Sequence, residues 1–130
     1  MADRARRRRR RLSRSGEFER VYREGRSHAS RHLVVYAFPR EDAGGAEPRL
    51  GVSVGRKLGG AVERNRMKRL LRDAFWANAA DLREAHDFVI VARPAAGELA
   101  GEGGEQAVEA ALRSVLTEAG LAGGGREQAP

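Results

Sequence analysis

The chain has 130 residues, which is enough for one modest domain and too few for two. Its 25 lysines and arginines outnumber 18 acidic residues and give a formal net charge of +7, and no cysteine is present. These values exclude disulfides and thiolate metal sites and favour a reducing compartment, for which the cytoplasm is the default expectation. The sequence shows neither a secretory signal nor an apolar run long enough to cross a membrane, so we expect no membrane partner.

The charge is distributed unevenly along the chain. Residues 1–14 hold eight arginines and one aspartate, and residues 49–72 hold eight basic side chains and one acid. Residues 73–130 have the opposite balance, with four basic and ten acidic side chains. A polarised chain with a basic N-terminal segment indicates a nucleic-acid partner.

The chain begins with a basic segment, which is followed by a predicted helix. The arginine run at residues 6–11 repels itself, so we predict that residues 1–14 form a disordered basic arm. A solubilising tail and, in a nucleated cell, an import signal are the alternatives. Phe18, Val21 and Tyr22 then recur at helical spacing, which predicts a helix of about ten residues that starts at position 15.

Four segments have the composition of β-strands. Residues 33–38 are mostly β-branched or aromatic, and residues 49–54 largely alternate between polar and apolar. Residues 88–92 form a continuous apolar run, which is typical of an interior strand. A short extended piece is expected at residues 27–30, and residues 40–48 read as a loop.

One predicted helix, at residues 61–76, carries both an apolar stripe and a basic face. At about 100° per residue, the stripe consists of Met67, Leu70, Leu71, Ala74 and Phe75. The cations of the remaining surface are Arg64, Arg66, Lys68, Arg69 and Arg72. A solvated face normally contains acidic partners for its cations, but Glu63 is the sole acid between residues 62 and 72. A polyanionic partner would relieve this repulsion, and a simple solvated face is the alternative.

The last part of the chain completes the predicted fold. An apolar stripe at residues 108–119 predicts a final helix that Gly120 ends, and residues 121–130 are expected to form a disordered tail. The order of elements predicts an α/β (α+β) two-layer sandwich, with three helices on a small mixed sheet of about four strands. Residues 15–120 would then form a single RNA-binding domain.

No catalytic residue is predicted in the protein itself. His28 and His32 are four residues apart, but they flank a strand, where this spacing does not bring two metal ligands together. Residues 51–57 resemble a phosphate-binding loop only superficially, because the glycine spacing is one residue short and no Ser or Thr follows Lys57. We therefore expect no metal site in the protein and no small-molecule substrate.

Five aromatic side chains are ambiguous at this level. Phe18, Tyr22, Tyr36 and Phe38 either stack on unpaired bases or fill the core, and the residues alone leave both readings open. Trp76 lies on the basic helix, where it either packs or makes a cation–π contact with a neighbouring arginine. Its role stays open.

Three stretches of the sequence share their order and spacing with one known family. The central stretch consists of Gly51-Val52-Ser53-Val54, Lys57, Gly59, Ala61-Val62, Arg64-Asn65-Arg66 and Lys68-Arg69-Leu70-Leu71-Arg72. The upstream stretch consists of Glu17-Phe18, Val21-Tyr22 and Gly25-Arg26-Ser27, and the downstream one is Val89-Ile90-Val91-Ala92-Arg93-Pro94. Over residues 12–118 the chain thus resembles the protein subunit of bacterial ribonuclease P.

This resemblance implies an α/β sandwich in which a left-handed crossover contains the central helix. It also implies a function, because the protein subunit assists a catalytic RNA that removes the 5′ leader from precursor tRNA. Hydrolysis would be performed by Mg²⁺ bound mainly by the RNA subunit and the substrate, which agrees with the lack of a predicted protein active site. The implied partners are the catalytic RNA and precursor tRNA.

The resemblance also assigns residues to two contact surfaces. The surface implied to face the RNA subunit contains Arg64, Asn65, Arg66, Lys68 and Arg69, and the predicted basic surface adds Arg56, Lys57 and Arg72. The cleft implied to bind the leader, between the first helix and the sheet, contains Phe18, Tyr22 and Tyr36.

The chain departs from the family pattern at three positions. Gly55 and Arg56 stand where the family usually has Ser and Lys, and Gly60 stands where a polar residue is common. Side-chain hydrogen bonds at positions 55 and 60 are therefore not expected, while Arg56 keeps its charge with a different geometry. Two other functions remain open from the sequence: a ribosomal or general RNA-binding protein, and a nuclease that acts without RNA.

Overall fold

The structure, a computed structural model, describes residues 15–39, 48–82, 86–101 and 103–121. The predicted basic arm at residues 1–14 and the predicted tail from residue 122 onward lie outside the described residues. The helices are α1 (Ser15–Glu24), α2 (Ala61–Ala77) and α3 (Gly104–Glu118). The strands are β1 (Arg26–Ala29), β2 (Leu33–Pro39), β3 (Arg49–Val54) and β4 (His86–Ala92). Short 3₁₀ segments occupy Arg56–Leu58, Ala79–Asp81 and Pro94–Leu99.

The four strands form one mixed sheet in the order β1-β2-β4-β3. β1 with β2 and β2 with β4 pair antiparallel, whereas β3 pairs parallel with β4. The parallel pair is connected through α2, which is the connection that the family resemblance implies to be left-handed. The α/β architecture of three helices on a four-stranded mixed sheet is thus confirmed, and the handedness of the crossover stays a prediction.

Most of the core lies on the sheet face covered by α2 and α3. All five residues of the predicted apolar stripe of α2 are buried. They pack with the inward side chains of β2, β3, β4 and α3: Leu33, Val35, Leu50, Phe88, Ile90, Val108, Leu112, Val115 and Leu116. The 3.6-residue and 2-residue periods of the sequence therefore predict this core correctly.

Within the described part of the chain, α1 is the helix that covers the opposite face of the sheet. Val21 of α1 is fully buried against Val89 of β4, and Phe18, Tyr36, Phe38 and Val91 are partly buried around them. Because one ten-residue helix cannot cover four strands, this face keeps partly exposed side chains. This is the face on which the resemblance locates the leader cleft.

A buried ion pair joins the two parallel strands on the α1 side of the sheet. The Nε and Nη2 atoms of Arg49 each donate a hydrogen bond of 2.8 Å to the carboxylate of Asp87, its register partner on β4. The Asp87 side chain is only 3% exposed. Because an isolated buried carboxylate is costly, this bidentate pair favours the observed register of β3 against β4.

The central helix ends earlier than its sequence permits. The apolar and polar pattern allows a helix that continues toward Arg83, but α2 ends at Ala77 and a 3₁₀ turn follows. The side chain of Asn78 is buried and donates a hydrogen bond of 2.8 Å from Nδ2 to the carbonyl of Ala74. This bond to the preceding turn competes with helix continuation. No helix in the described ranges has the length and apolar character required to cross a bilayer.

Candidate nucleic-acid interface

Glu63, the only acidic residue in the first half of α2, caps the start of the helix. The carboxylate of Glu63 accepts a hydrogen bond of 3.0 Å from the backbone N–H of Gly60. This bond satisfies one of the amides that a helix N-terminus leaves without an intrahelical partner. The negative charge also lies at the positive end of the helix dipole. Glu63 therefore serves the helix, and it leaves the cations further along α2 without an acidic neighbour in the sequence from 62 to 72.

The predicted RNA-facing residues lie on α2 and on the turn before it. Asn65 and Arg69 are exposed on the helix, and Arg56 and Lys57 are exposed in the preceding 3₁₀ turn. Three further cations of the set are half-buried: Arg64, Lys68 and Arg72. We call this surface, made of Arg56, Lys57, Arg64, Asn65, Lys68, Arg69 and Arg72, the basic face.

Val62 is an apolar side chain exposed within the basic face. It lies in the first turn of α2 and is 78% exposed, one of two large hydrophobic side chains exposed among the described residues. Because Val62 is three residues before Asn65 and seven before Arg69, the three side chains share one side of the helix. Sequence reasoning passed over this position. The available signal was its place on the helical wheel, opposite the buried stripe.

Arg66 makes a hydrogen bond to a distant part of the chain, whereas the Nε atom of Arg64 donates one of 3.4 Å to the carbonyl of Gly60 at the start of its own helix. Arg66 is half-buried, and its Nη2 atom donates a hydrogen bond of 3.0 Å to the backbone carbonyl of Ala100, in the connection between β4 and α3. The structure therefore gives Arg66 an intramolecular partner, and it is not part of the basic face as defined above.

The three predicted leader-binding aromatics lie together on the α1 side of the sheet. The ring centroids of Phe18 and Tyr22 are 6.4 Å apart, and those of Tyr22 and Tyr36 are 4.9 Å apart in an edge-to-face arrangement. Tyr22 is 39% exposed, and Tyr36 is half-buried. The core-only reading is thus wrong for Tyr22. We call the surface formed by Phe18, Tyr22 and Tyr36 the aromatic groove.

Ser53 of β3 is a groove residue that sequence reasoning did not single out. Burial raises the pKa of the Tyr22 phenol above its ordinary value, and a hydrogen bond with the Ser53 side chain partly offsets that rise. The Tyr22 phenol of α1 thus lies near the Ser53 side chain of β3. The alternation of β3 predicts that Ser53 shares a face with Gly51, but the proximity to Tyr22 depends on the tertiary fold.

The two remaining aromatics have packing roles. Phe38 is half-buried beneath the guanidinium of Arg20, which lies 4.8 Å from the ring centroid. Trp76 is half-buried and meets Phe75 edge-on, with ring centroids 4.8 Å apart. Trp76 therefore packs against the core although it is placed on the basic side of the helical wheel.

A pocket of about 340 Å³ lies between the aromatic groove and the basic face. It is located where β3 and β4 end, and its lining includes Ser53, Arg56, Lys57, Val91 and Pro94. Ser53 contacts Tyr22 of the aromatic groove, and Arg56 and Lys57 belong to the basic face. The pocket consequently connects the two predicted contact surfaces into one region of the molecule.

The described residues contain no cluster of three or more His, Asp or Glu side chains arranged to hold a metal ion. His28 lies on β1, whereas His32 follows that strand and its Nε2 atom is 3.6 Å from Glu98.

Comparisons with known proteins agree with this geometry. A sequence profile of the ribonuclease P family matches residues 7–116. The ribonuclease P protein component of Bacillus pumilus is 42% identical over 96 residues, which are 72% of this chain and 77% of that protein. The corresponding protein of Clostridium acetobutylicum is 36% identical over 112 residues, which are 85% and 89% of the two chains.

Solved structures of RNase P proteins are also similar to this chain. The RNase P protein of Staphylococcus aureus aligns with a TM-score of 0.74 at 32% identity, covering 86% of this chain and 96% of that one. The RNase P protein of Thermotoga maritima aligns with a TM-score of 0.73 at 28% identity, covering 83% and 96%.

The fold and the site define a small α/β RNA-binding protein, with a basic helix face beside an aromatic groove. The comparisons identify it more closely: the chain belongs to the ribonuclease P protein component family. Proteins of this family are subunits of the ribonucleoprotein endoribonuclease that processes the 5′ ends of tRNA, and they associate with the RNase P RNA. The predicted family, fold and functional class are confirmed.

Proposed function

We propose that, within ribonuclease P, the basic face binds the catalytic RNA while the aromatic groove binds the 5′ leader of precursor tRNA. The observation that supports this division is the pocket lined by Ser53, Arg56 and Lys57, which makes the two surfaces neighbours. A protein that contacts both RNAs at adjacent surfaces holds the leader beside the catalytic RNA. We further propose that the assembly acts in the cytoplasm.

The basic face suits an RNA backbone because its cations are near one another and mostly arginine. Arg56 and Lys57 are exposed in the turn, and Arg69 is exposed on the helix. Arginine makes bidentate contacts with phosphates, and several cations on one surface repel one another until an anion neutralises them. Val62 adds an exposed apolar side chain, which fits a ribose or base better than a phosphate.

The aromatic groove suits single-stranded RNA because unpaired bases stack on aromatic side chains. The 5′ leader is a single-stranded end, unlike the folded body of tRNA. Tyr22 is the most exposed ring of the groove, and its contact with Ser53 holds it above the sheet. Stacking is tolerant of base identity, so the groove would accept leaders of varied sequence.

We assign no catalytic group to the protein, and we place the reactive Mg²⁺ ions on the RNA subunit and the substrate. This assignment agrees with the described residues, among which no three His, Asp or Glu side chains are arranged to hold a metal ion. When bound by the RNA, Mg²⁺ would supply the activated water and charge stabilisation for hydrolysis. The protein's own contribution is to bind, orient and neutralise charge beside that centre.

Leader recognition is tested by binding of assembled holoenzyme to two substrates, precursor tRNA with its leader and mature tRNA. Tyr22→Leu keeps an apolar side chain but removes the ring, so the preference for precursor over mature tRNA should fall roughly tenfold. Phe38→Leu removes an aromatic ring outside the groove and is the matched control. An unchanged preference in Tyr22→Leu, with the fold intact by circular dichroism, would count against the groove as the leader site.

A further inference from the structure

Arg66 is oriented away from the basic face to which its sequence neighbours belong. Its Nη2 atom donates a hydrogen bond of 3.0 Å to the carbonyl of Ala100, a residue 34 positions further along the chain. This carbonyl directly follows the 3₁₀ segment Pro94–Leu99. Hydrogen bonds from a charged donor are stronger than those between neutral groups, so this contact is a substantial anchor for an otherwise irregular connection.

The surroundings of Arg66 are shaped to fit the guanidinium. Gly104, the first residue of α3, is buried beside it, and a Cβ atom at that position would lie 3.2 Å from Nη2 of Arg66. The same Cβ would lie 3.1 Å from the carbonyl oxygen of Leu99. The absence of a side chain at Gly104 therefore leaves the space in which Arg66 reaches Ala100.

The anchored segment supports the pocket between the two RNA-binding surfaces. Ala96 is fully buried, and a Cβ at Gly97 would lie 4.0 Å from Cγ of Leu58, in the turn that carries Arg56 and Lys57. Pro94, at the start of the segment, lines the same pocket as those two cations. A displacement of the segment would therefore alter the pocket wall and the support of the basic turn.

We propose that Arg66 is a positioning residue rather than an RNA contact. It fastens Pro94–Leu99 to α2, and this segment in turn holds the turn Arg56–Leu58 and the pocket wall beside the aromatic groove. Through Arg66 and the segment Pro94–Leu99, the helix that binds the catalytic RNA also determines the shape of the leader site. The inference rests on the proposed function and deepens it, because it assigns the second arginine of Arg64-Asn65-Arg66 a role distinct from the first.

The first test uses the free protein and does not depend on any RNA activity. Arg66→Met keeps the aliphatic stem but removes the donor, so amide hydrogen exchange in residues 94–101 should accelerate roughly tenfold, as expected for loss of one charge-assisted hydrogen bond. Arg66→Lys keeps a charged donor and should restore much of the protection. Arg64→Met, on the same helix, should leave exchange in this segment unchanged. Unchanged exchange in Arg66→Met would overturn the anchoring role.

The second test measures RNA binding. Wild-type protein is measured first, so that a failure of the proposed function is distinguished from a failure of the inference about Arg66. Arg64→Met should reduce the slope of log affinity for the catalytic RNA against log salt by about one, whereas Arg66→Met should leave that slope unchanged. Arg66→Met should instead lower the preference for precursor over mature tRNA roughly tenfold, and Arg66→Lys should recover it. A reduced slope of log affinity against log salt in Arg66→Met would identify a direct phosphate contact. An unchanged preference for precursor over mature tRNA would show that Arg66 does not affect the leader site. Either result would overturn the proposal.

Discussion

The ring of Phe18 on α1 lies directly over Gly51 on β3. A Cβ atom at Gly51 would come within 2.4 Å of Cζ of Phe18, a separation that real structures do not tolerate. The aromatic groove therefore depends on the lack of a side chain in the strand beneath it. Gly51 is as much a determinant of the groove as the aromatic residues themselves.

Gly51→Ala should displace Phe18 and weaken leader binding while leaving most of the fold in place. The new methyl group meets the ring, so α1 or the ring must move, at a cost of about 1 to 3 kcal/mol in the free energy of unfolding. The preference of the holoenzyme for precursor over mature tRNA should fall at the same time. Gly16→Ala is the control: Gly16 lies on α1, the helix that carries Phe18, and a Cβ there meets nothing within 4 Å. Leader preference equal to wild type in Gly51→Ala would contradict this packing.

Arg69→Ala should weaken binding to the catalytic RNA without affecting the fold. Arg69 is exposed, so its removal takes away one phosphate contact, and the slope of log affinity against log salt should decrease in magnitude by about one. Arg113→Ala on α3 removes an exposed arginine that pairs with Glu109 and serves as the charge control. Equal slopes for Arg69→Ala and wild type would exclude a direct phosphate contact at this position.

Leu70→Ala should reduce the free energy of unfolding, in contrast to Arg69→Ala at the neighbouring position. Leu70 is 3% exposed and packs in the core between α2, α3 and the sheet, so truncation leaves a cavity and should cost about 2 to 5 kcal/mol. Chemical denaturation measures this free energy of unfolding, and Arg69→Ala should change it by less than about 0.5 kcal/mol. A small effect in Leu70→Ala would mean that this face of α2 is not the core face.

Tyr22 should ionise at a higher pH than free tyrosine in the RNA-free protein. Burial raises the pKa of the folded phenol, so its contribution to stability is fully present below the pKa of the unfolded chain and is lost as the pH rises through the folded pKa. Absorbance at alkaline pH follows the two tyrosines of the chain. Tyr22→Phe should remove the late transition, and Tyr36→Phe should retain it. A Tyr22 pKa at or below its ordinary value would refute its burial in the groove.

The sequence predicted those features that depend on local periodicity. The buried stripe of α2 and the strands at 33–38 and 49–54 follow from alternation and helical spacing, which act over a few residues. The exposed positions Asn65 and Arg69 follow from the same helical wheel.

The features that sequence reasoning missed all involve distant partners. The helical wheel places Arg66 on the flank of the stripe, where either an inward or an outward orientation is compatible, and its partner Ala100 is 34 positions away. The fit of Phe18 over Gly51 and the contact of Tyr22 with Ser53 likewise join α1 to β3 across a long loop. Such pairs depend on how the elements pack, and periodicity does not encode them.

Cleavage of precursor tRNA by the catalytic RNA, measured at low Mg²⁺ with and without this protein, tests the central claim most directly. A subunit that neutralises RNA charge and binds the leader should increase the cleavage rate or the affinity for precursor tRNA under these conditions, and the protein alone should cleave nothing. The same rate and the same substrate affinity with and without the protein would contradict the account.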